Sequence, residues 1–219
     1  MRPEQQAVEQ GLVSLWATHF LQRRIPNSEA ANNVLLDLIL QQEVKHSSQN
    51  NDLTTDYLAQ NFLNTEHPVV EWLQKCLNHG VSEYLQLCKI DYSVDWTLQA
   101  WANINRRGDY HNVHNHPHSY LSGTYYIAMP TSASREHLSR ADLNPGAISF
   151  YDPRAQANML AIKGDAQVDP EYRVLPEPGM LLLWPSFVHH MVHPNLSDEL
   201  RVSVSFNVIL KWRNEYVPS

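Results

Sequence analysis

Cysteine is scarce in this chain, basic residues are outnumbered, and no apolar run is long enough to cross a bilayer. The two cysteines, Cys76 and Cys88, both fall in a stretch with helical spacing. A disulfide framework is therefore excluded, and two reduced, buried thiols are expected. Lys and Arg number 16 against 23 Asp and Glu, for a formal net charge of -7. This balance gives no electrostatic reason to expect nucleic acid or an anionic membrane as a partner. The first residues, Met1-Arg2-Pro3-Glu4-Gln5-Gln6, do not lead into a signal-peptide core, so a cytoplasmic protein is expected. Internal repeats and low-complexity tracts are also missing. What remains is a chain of 219 residues, long enough for one large domain over positions 1–219.

Residues 11–20 alternate and predict a first strand on a sheet edge. After the break at Pro26-Asn27, Ser28 is a plausible N-cap, and Ala31, Val34, Leu35, Leu38 and Ile39 give a helical stripe toward Val44. Residues 46–52 are polar and read as a loop. Thr65-Glu66-His67-Pro68 opens a second helix, with Val69, Val70, Leu73, Leu77, Val81 and Tyr84 on one face. Both helices need a surface to cover. From Tyr92 the pattern changes to extended segments: 92–105, ended by a turn at Arg106-Arg107-Gly108-Asp109, then 119–129, 147–151, 180–184 and 200–212. Long connections are expected at 131–144 and from 153 to about Tyr172. The fold class is thus mainly β with flanking α. Residues 1–91 form a helical part covering the sheet, and 92–212 form a β core.

The chemistry is concentrated in His111-Asn112-Val113-His114-Asn115-His116-Pro117-His118, where four of the 12 histidines fall within eight residues. On an extended strand His114 and His116 point the same way and can share one cation. A third ligand is sought downstream, in Trp184-Pro185-Ser186-Phe187-Val188-His189-His190-Met191-Val192-His193. The last strand places Val202, Val204, Phe206 and Val208 on one face and Arg201, Ser203, Ser205 and Asn207 on the other. With helices available to cover the apolar face, the polar face can line a barrel interior. The competing reading is a polar face turned to solvent, and for the histidines a surface cluster that collects metals adventitiously.

Gly108-x5-His114-x-His116 followed by Gly179-x5-Pro185-x4-His190 resembles the two-part cupin signature of a double-stranded β-helix, a jelly-roll barrel. More narrowly, His-Asn-His-Pro, then Leu121-Ser122-Gly123-Thr124-Tyr125-Tyr126, Tyr151-Asp152-Pro153-Arg154, Trp184-Pro185-Ser186, His190, and Arg201-Val202-Ser203-Val204-Ser205-Phe206-Asn207 resemble a small group of 2-oxoglutarate- and Fe(II)-dependent oxygenases, over about 95–212. The resemblance implies a hydroxylase with metal ligands His114, His116 and His190. It also implies 2-oxoglutarate held by Arg201 with Ser203 assisting, and Tyr126 as a further donor or a packing residue. His111, His118, Asn103, Asn105, Ser205 and Asn207 are then placed behind the ligands or on the substrate side. The chain departs from the usual pattern in one respect. His116 stands where that superfamily carries a carboxylate, so zinc, nickel or copper could bind as well as iron.

Two other readings fit the same residues: a cupin-like module that binds a metal and a small acid without turnover, and a three-histidine dioxygenase or isomerase that does not use 2-oxoglutarate. The primary substrate, a small molecule or a peptide, is not encoded in any motif; Arg135, Arg140, Lys163 and Arg173 could meet an anion or simply be solvated. Barrels of this kind often dimerise, so a homodimer is compatible with the class, although no residue specifies it.

Overall fold

A computed structural model describes residues 17–47, 61–90, 92–131, 143–154, 169–211 and 213. The expected strand at 11–20 falls partly outside these residues, and its described part, 17–20, is irregular; the strand is instead β1, Leu21–Arg24, an edge strand as anticipated. Only Leu21 of β1 is buried, so a short polar edge strand leaves almost no apolar signal. Helix α1 spans Glu29–Ser47, with the Asn32 amide bonded to the Ser28 carbonyl. It runs two residues into the stretch read as a loop, the rest of which lies outside the described residues. Helix α2 spans Pro68–Leu87, and its N-cap is His67, whose Nδ1 accepts from the Val69 amide at 3.1 Å. A short 3-10 turn at Phe62–Asn64 was not legible in the sequence.

The strands that follow are β2 (Trp96–Asn105), β3 (His111–His114), β4 (Leu121–Ala128), β5 (Ile148–Tyr151), β6 (Glu171–Val174), β7 (Met180–Pro185), β8 (His190–Val192) and β9 (Arg201–Leu210). β2 starts four residues later than Tyr92, and β9 ends at Leu210, short of Trp212. β6 overlaps the end of the connection expected to run to about Tyr172: Glu-Tyr-Arg-Val lies on the edge of its sheet with only Val174 buried, so it lacks the buried alternation that marks a strand. A five-stranded antiparallel sheet, in the order β1-β7-β4-β9-β2, faces a four-stranded one, β3-β8-β5-β6. The arrangement is a double-stranded β-helix.

The larger sheet divides two apolar clusters. On its outer side Val202, Val204, Phe206, Val208, Leu181 and Leu183 pack with Leu35 and Ile39 of α1 and Leu73, Leu77 and Val81 of α2. Burial of a side chain of this size stabilises by about 1.5–3 kcal/mol, which is why the helices cover this face. A buried hydrogen bond from Tyr125 to Asn32, 2.6 Å, ties β4 to α1. Gly123 is required by this packing: a Cβ there would lie 2.3 Å from the Phe206 ring and 2.8 Å from the Leu182 carbonyl. On the inner side a smaller cluster of Tyr126, Ile148, Phe150, Val174, Leu182, Trp184, Val188 and Val192 fills part of the space between the sheets. The free β2 edge is sealed by Asn61, which donates to the Leu98 carbonyl at 2.7 Å and accepts from the Ala100 amide at 3.0 Å. Cys76 and Cys88 are both free and half-buried, less enclosed than expected.

Candidate metal centre

Strand register organises the inner face of the larger sheet into cross-strand rungs. Asn105 pairs with Arg201; Asn103 with Ser203 and Tyr126; Trp101 with Ser205 and Thr124; Gln99 with Asn207, Ser122 and Trp184. The polar face of β9 is therefore enclosed, with Arg201 and Ser203 each 1 % exposed. Its hydroxyls and amides satisfy one another. Asn103 donates to Ser205 at 2.9 Å, Ser205 and Thr124 lie 3.2 Å apart, and Ser122 donates to Asn207 at 3.0 Å.

Three imidazoles converge from the opposite sheet. His114 ends β3 directly opposite His190 on β8. His116 is not on the strand: β3 stops at His114, after a register irregularity between His111 and His114, and His116 lies on the turn that follows. The expected side-by-side pair on one strand is thus corrected, because Pro117 cannot continue the ladder and the chain must turn before it. The three histidines nevertheless converge. One ring nitrogen from each of His114, His116 and His190 lies within 4.8 Å of the others. The rings of His114 and His190 are 4.3 Å apart, and those of His116 and His190 are stacked at 5.2 Å. Trp101 stacks on His116 at 5.7 Å, and Trp184 meets His190 edge-on at 5.0 Å.

Backbone carbonyls set the tautomers. Nδ1 of His190 lies 3.1 Å from the Val188 carbonyl, and Nδ1 of His114 lies 2.6 Å from that of Asn112. Each Nδ1 therefore carries the proton and donates, leaving Nε2 with a lone pair for a cation. Burial, then the neighbouring His114, pushes His116 down to about 4 and holds His190 well below its ordinary range. Burial, then the nearby Arg201, pushes His111 down to about 4 as well. His111, His116 and His190 are therefore neutral at neutral pH.

At the other end of the barrel Arg201 has only neutral partners. It donates to Asn105 Oδ1 at 3.0 Å and to the Gly146 carbonyl at 3.3 Å, and its guanidinium lies 5.3 Å from the Tyr126 ring centroid. Among the described residues no carboxylate pairs with Arg201, and no Asp or Glu is buried. Tyr126 is 0 % exposed, and its hydroxyl has no hydrogen-bond partner; burial, opposed by Arg201, pushes the phenol up to about 12. A buried hydroxyl without a partner, beside a buried guanidinium without a counter-ion, offers hydrogen-bond donors of a kind that suits a carboxylate. The indole N–H of Trp184 is likewise buried without a partner, a feature that no sequence pattern signals.

The remaining candidates separate clearly. His111 Nε2 lies 3.3 Å from the Asn105 amide, which places it behind Arg201. Asn103, Ser205 and Asn207 sit in the interior hydrogen-bond network. His118 is exposed on the turn, with φ +74°. His189 is exposed, and His193 bonds Ser149 at 2.6 Å, well apart from the cluster. Arg173, one of the four cations that could meet an anion, is engaged by Glu171. Arg135, Arg140 and Lys163 lie outside the described residues, as does most of both long connections. Of the 131–144 connection, the described flanks adjoin the Arg201 end: Thr131 donates to Glu199, and the Gly146 amide bonds the Pro194 carbonyl.

A family model described as "Putative 2OG-Fe(II) oxygenase" matches residues 99–207, which hold the three histidines, Tyr126 and Arg201. No curated protein matches the sequence. Among solved structures, a Pseudomonas putida prolyl-4-hydroxylase is 10 % identical, covering 88 % of this chain and 93 % of that one, with a TM-score of 0.58. AviO1 from Streptomyces viridochromogenes is 11 % identical over 92 % of each chain, with a TM-score of 0.58. A Trichoplax adhaerens prolyl hydroxylase, solved with a hypoxia inducible factor peptide fragment, is 12 % identical over 87 % of this chain and 83 % of that one, TM-score 0.57. At these identities the structural likeness establishes the double-stranded β-helix fold. With the motif-bearing core matched in sequence as well, the chain belongs to the 2-oxoglutarate- and Fe(II)-dependent oxygenases, enzymes that couple decarboxylation of 2-oxoglutarate to oxidation of a second substrate.

Proposed function

We propose that His114, His116 and His190 hold Fe(II) and that Arg201, Tyr126 and Ser203 bind 2-oxoglutarate, for hydroxylation of a small-molecule or peptide substrate. The observation that carries this reading is the arrangement of unmet demands along one barrel. Three imidazole donors converge at one end, and an uncompensated guanidinium with an unpartnered phenol lies at the other. A dicarboxylate satisfies both ends at once.

Each residue then has a distinct task. Arg201 pairs with the distal carboxylate, oriented by Asn105 and the Gly146 carbonyl. Tyr126 donates its free hydroxyl to the same group, with Ser203 directly opposite it on the same rung. Trp101 and Trp184 wall the imidazoles and keep water from them. Bound iron supplies the activation of oxygen that the side chains cannot provide. With no carboxylate among the ligands, zinc or nickel also suits the three nitrogens and can occupy the site on isolation.

Anaerobic titration of untagged protein with Fe(II) and then 2-oxoglutarate tests the proposal, read as the weak visible charge-transfer band of the chelate and as metal stoichiometry. One equivalent of iron, with a band lost in His190→Ala, is expected. Iron binding without the band rejects 2-oxoglutarate as the cosubstrate. No stoichiometric metal rejects the histidine site.

A further inference from the structure

Asn105 closes the last rung of β2, opposite Arg201 on β9, and both residues are buried. The chain then turns at Arg106-Arg107-Gly108-Asp109 and returns as β3 in the opposite sheet. Asn195 fixes that return. Its side chain donates to the Asn105 carbonyl at 3.0 Å, its backbone amide donates to the Asp109 carbonyl at 3.0 Å, and its own carbonyl accepts from Gly108 at 2.7 Å. His111 is thereby brought back against the Asn105 side chain. It pairs with Val192, a member of the inner apolar cluster, and cross-strand partners project to the same face, so the ring turns into the barrel.

The donors and acceptors in this contact have only one consistent arrangement. A guanidinium carries donors alone, so the Asn105 atom 3.0 Å from Arg201 Nη1 is the oxygen. The side-chain nitrogen of Asn105 then faces His111 Nε2 at 3.3 Å, and because that nitrogen is a donor, Nε2 accepts. His111 is consequently a neutral ring with its proton on Nδ1. Two hydrogen bonds run in series, from the guanidinium to the Asn105 oxygen and from the Asn105 nitrogen to the imidazole. With both ends engaged, the Asn105 side chain has one orientation, and Arg201 has a fixed acceptor besides the Gly146 carbonyl. Without the ring acceptor a buried side-chain nitrogen loses its partner, the side chain gains by turning elsewhere, and the guanidinium loses the oxygen that aims it. His111 also stands 6.3 Å from His114, centroid to centroid, so a role in cosubstrate binding has to be separated from one at the metal.

We propose that His111 is a positioning residue for 2-oxoglutarate, acting through the Asn105 side chain to hold Arg201 in line with the distal carboxylate. The inference rests on the iron and 2-oxoglutarate reading given above. 2-Oxovalerate separates the two roles: it has the same chain length and the same 2-oxo acid, but no distal carboxylate, so it can chelate iron without using Arg201. Each acid is titrated anaerobically into the Fe(II)-loaded protein and followed by the chelate band. The titrations compare the wild type with His111→Leu, which removes the acceptor at similar bulk, His111→Gln, which returns an oxygen near the place of Nε2, Asn105→Ala, and the Leu and Ala changes combined.

His111→Leu is expected to weaken 2-oxoglutarate about five- to tenfold and 2-oxovalerate by less than about twofold, with one equivalent of iron still bound. His111→Gln is expected to recover most of that loss, and His111→Leu to add nothing once position 105 is Ala. Nitrogen-15 shifts of the metal-free wild type should show the His111 proton on Nδ1. Unchanged 2-oxoglutarate affinity in His111→Leu, no recovery in His111→Gln, additive losses in the double variant, or a proton on Nε2 each overturns the proposal. An equal loss for the two acids, or loss of iron, assigns His111 to the metal and overturns it too. Should His111→Leu not fold, His111→Phe takes its place under the same expectations, beside the proton position in the wild type. If the wild type binds the two acids equally, or the band never forms with 2-oxoglutarate, the underlying reading fails first, a result distinct from all of these.

Discussion

Arg201 and Tyr126 differ in how their polar atoms are met inside the barrel. The guanidinium is held by two neutral oxygens, whereas the phenol hydroxyl lies beside the guanidinium without a hydrogen-bond partner. Arg201→Ala should weaken 2-oxoglutarate about 100-fold, close to 2.7 kcal/mol, with metal content unchanged, as read by calorimetry and metal analysis. Tyr126→Phe should separate stability from binding. Removing an unsatisfied buried hydroxyl leaves ligand-free stability unchanged or raises it by up to about 1 kcal/mol, while 2-oxoglutarate affinity falls about five- to tenfold. A loss of stability without ligand would show that the hydroxyl does have a partner. The histidines give a pH dependence of definite sign. His111 and His116 are held at about 4 when folded, against an ordinary value of 6.5, so the unfolded chain takes up protons first as the pH falls. Stability of the metal-free protein is therefore full above about pH 6.5 and declines toward pH 4, by an amount on the order of a few kcal/mol. Urea midpoints across that window measure it.

Among the elements, β4 and α2 meet the same sheet with unequal tolerance. Gly123→Ala drives a methyl group against the Phe206 ring and the Leu182 carbonyl, and the carbonyl belongs to a paired strand that cannot withdraw. A cost of about 2–3 kcal/mol is expected. Gly80→Ala meets only the Leu181 Cδ2 tip, which can rotate away, and gains helix propensity; its net effect should stay within about 1 kcal/mol. Comparison of the two melting temperatures tests the contrast. What the sequence disclosed about the elements follows the same physics. α2, β7 and β9 were legible because one-sided or complete burial imprints a period on the residues. β1 and β6 were not, since each is a four-residue edge strand with a single buried residue, Leu21 or Val174. The three histidines and Arg201 were legible as a spacing pattern, but the strand end before His116 was not, because Pro117 and the preceding bulge act together. The Asn105–Arg201–Gly146 contacts and the unpartnered Trp184 indole depend on strand register and long-range packing, which no local pattern carries.

For the whole molecule, ligands that recognise only the folded site raise its stability by mass action. Iron at 100 times its dissociation constant adds about 2.7 kcal/mol. For a chain of this length that corresponds to an increase of roughly 5–10 °C in melting temperature. Anaerobic thermal scans with and without Fe(II) should show the increase in the wild type and none in His190→Ala. No helix among the described residues is long and apolar enough to cross a membrane. The larger sheet separates two populations of residues. Those packed under α1 and α2 maintain the architecture, and those on the inner rungs line the candidate site, with alternate residues of the same strands assigned to one side or the other. Inherited changes on the inner side can accumulate with little effect on the helix-covered core, so a lineage built on this wall is free to exchange one oxidation target for another while its scaffold remains recognisable.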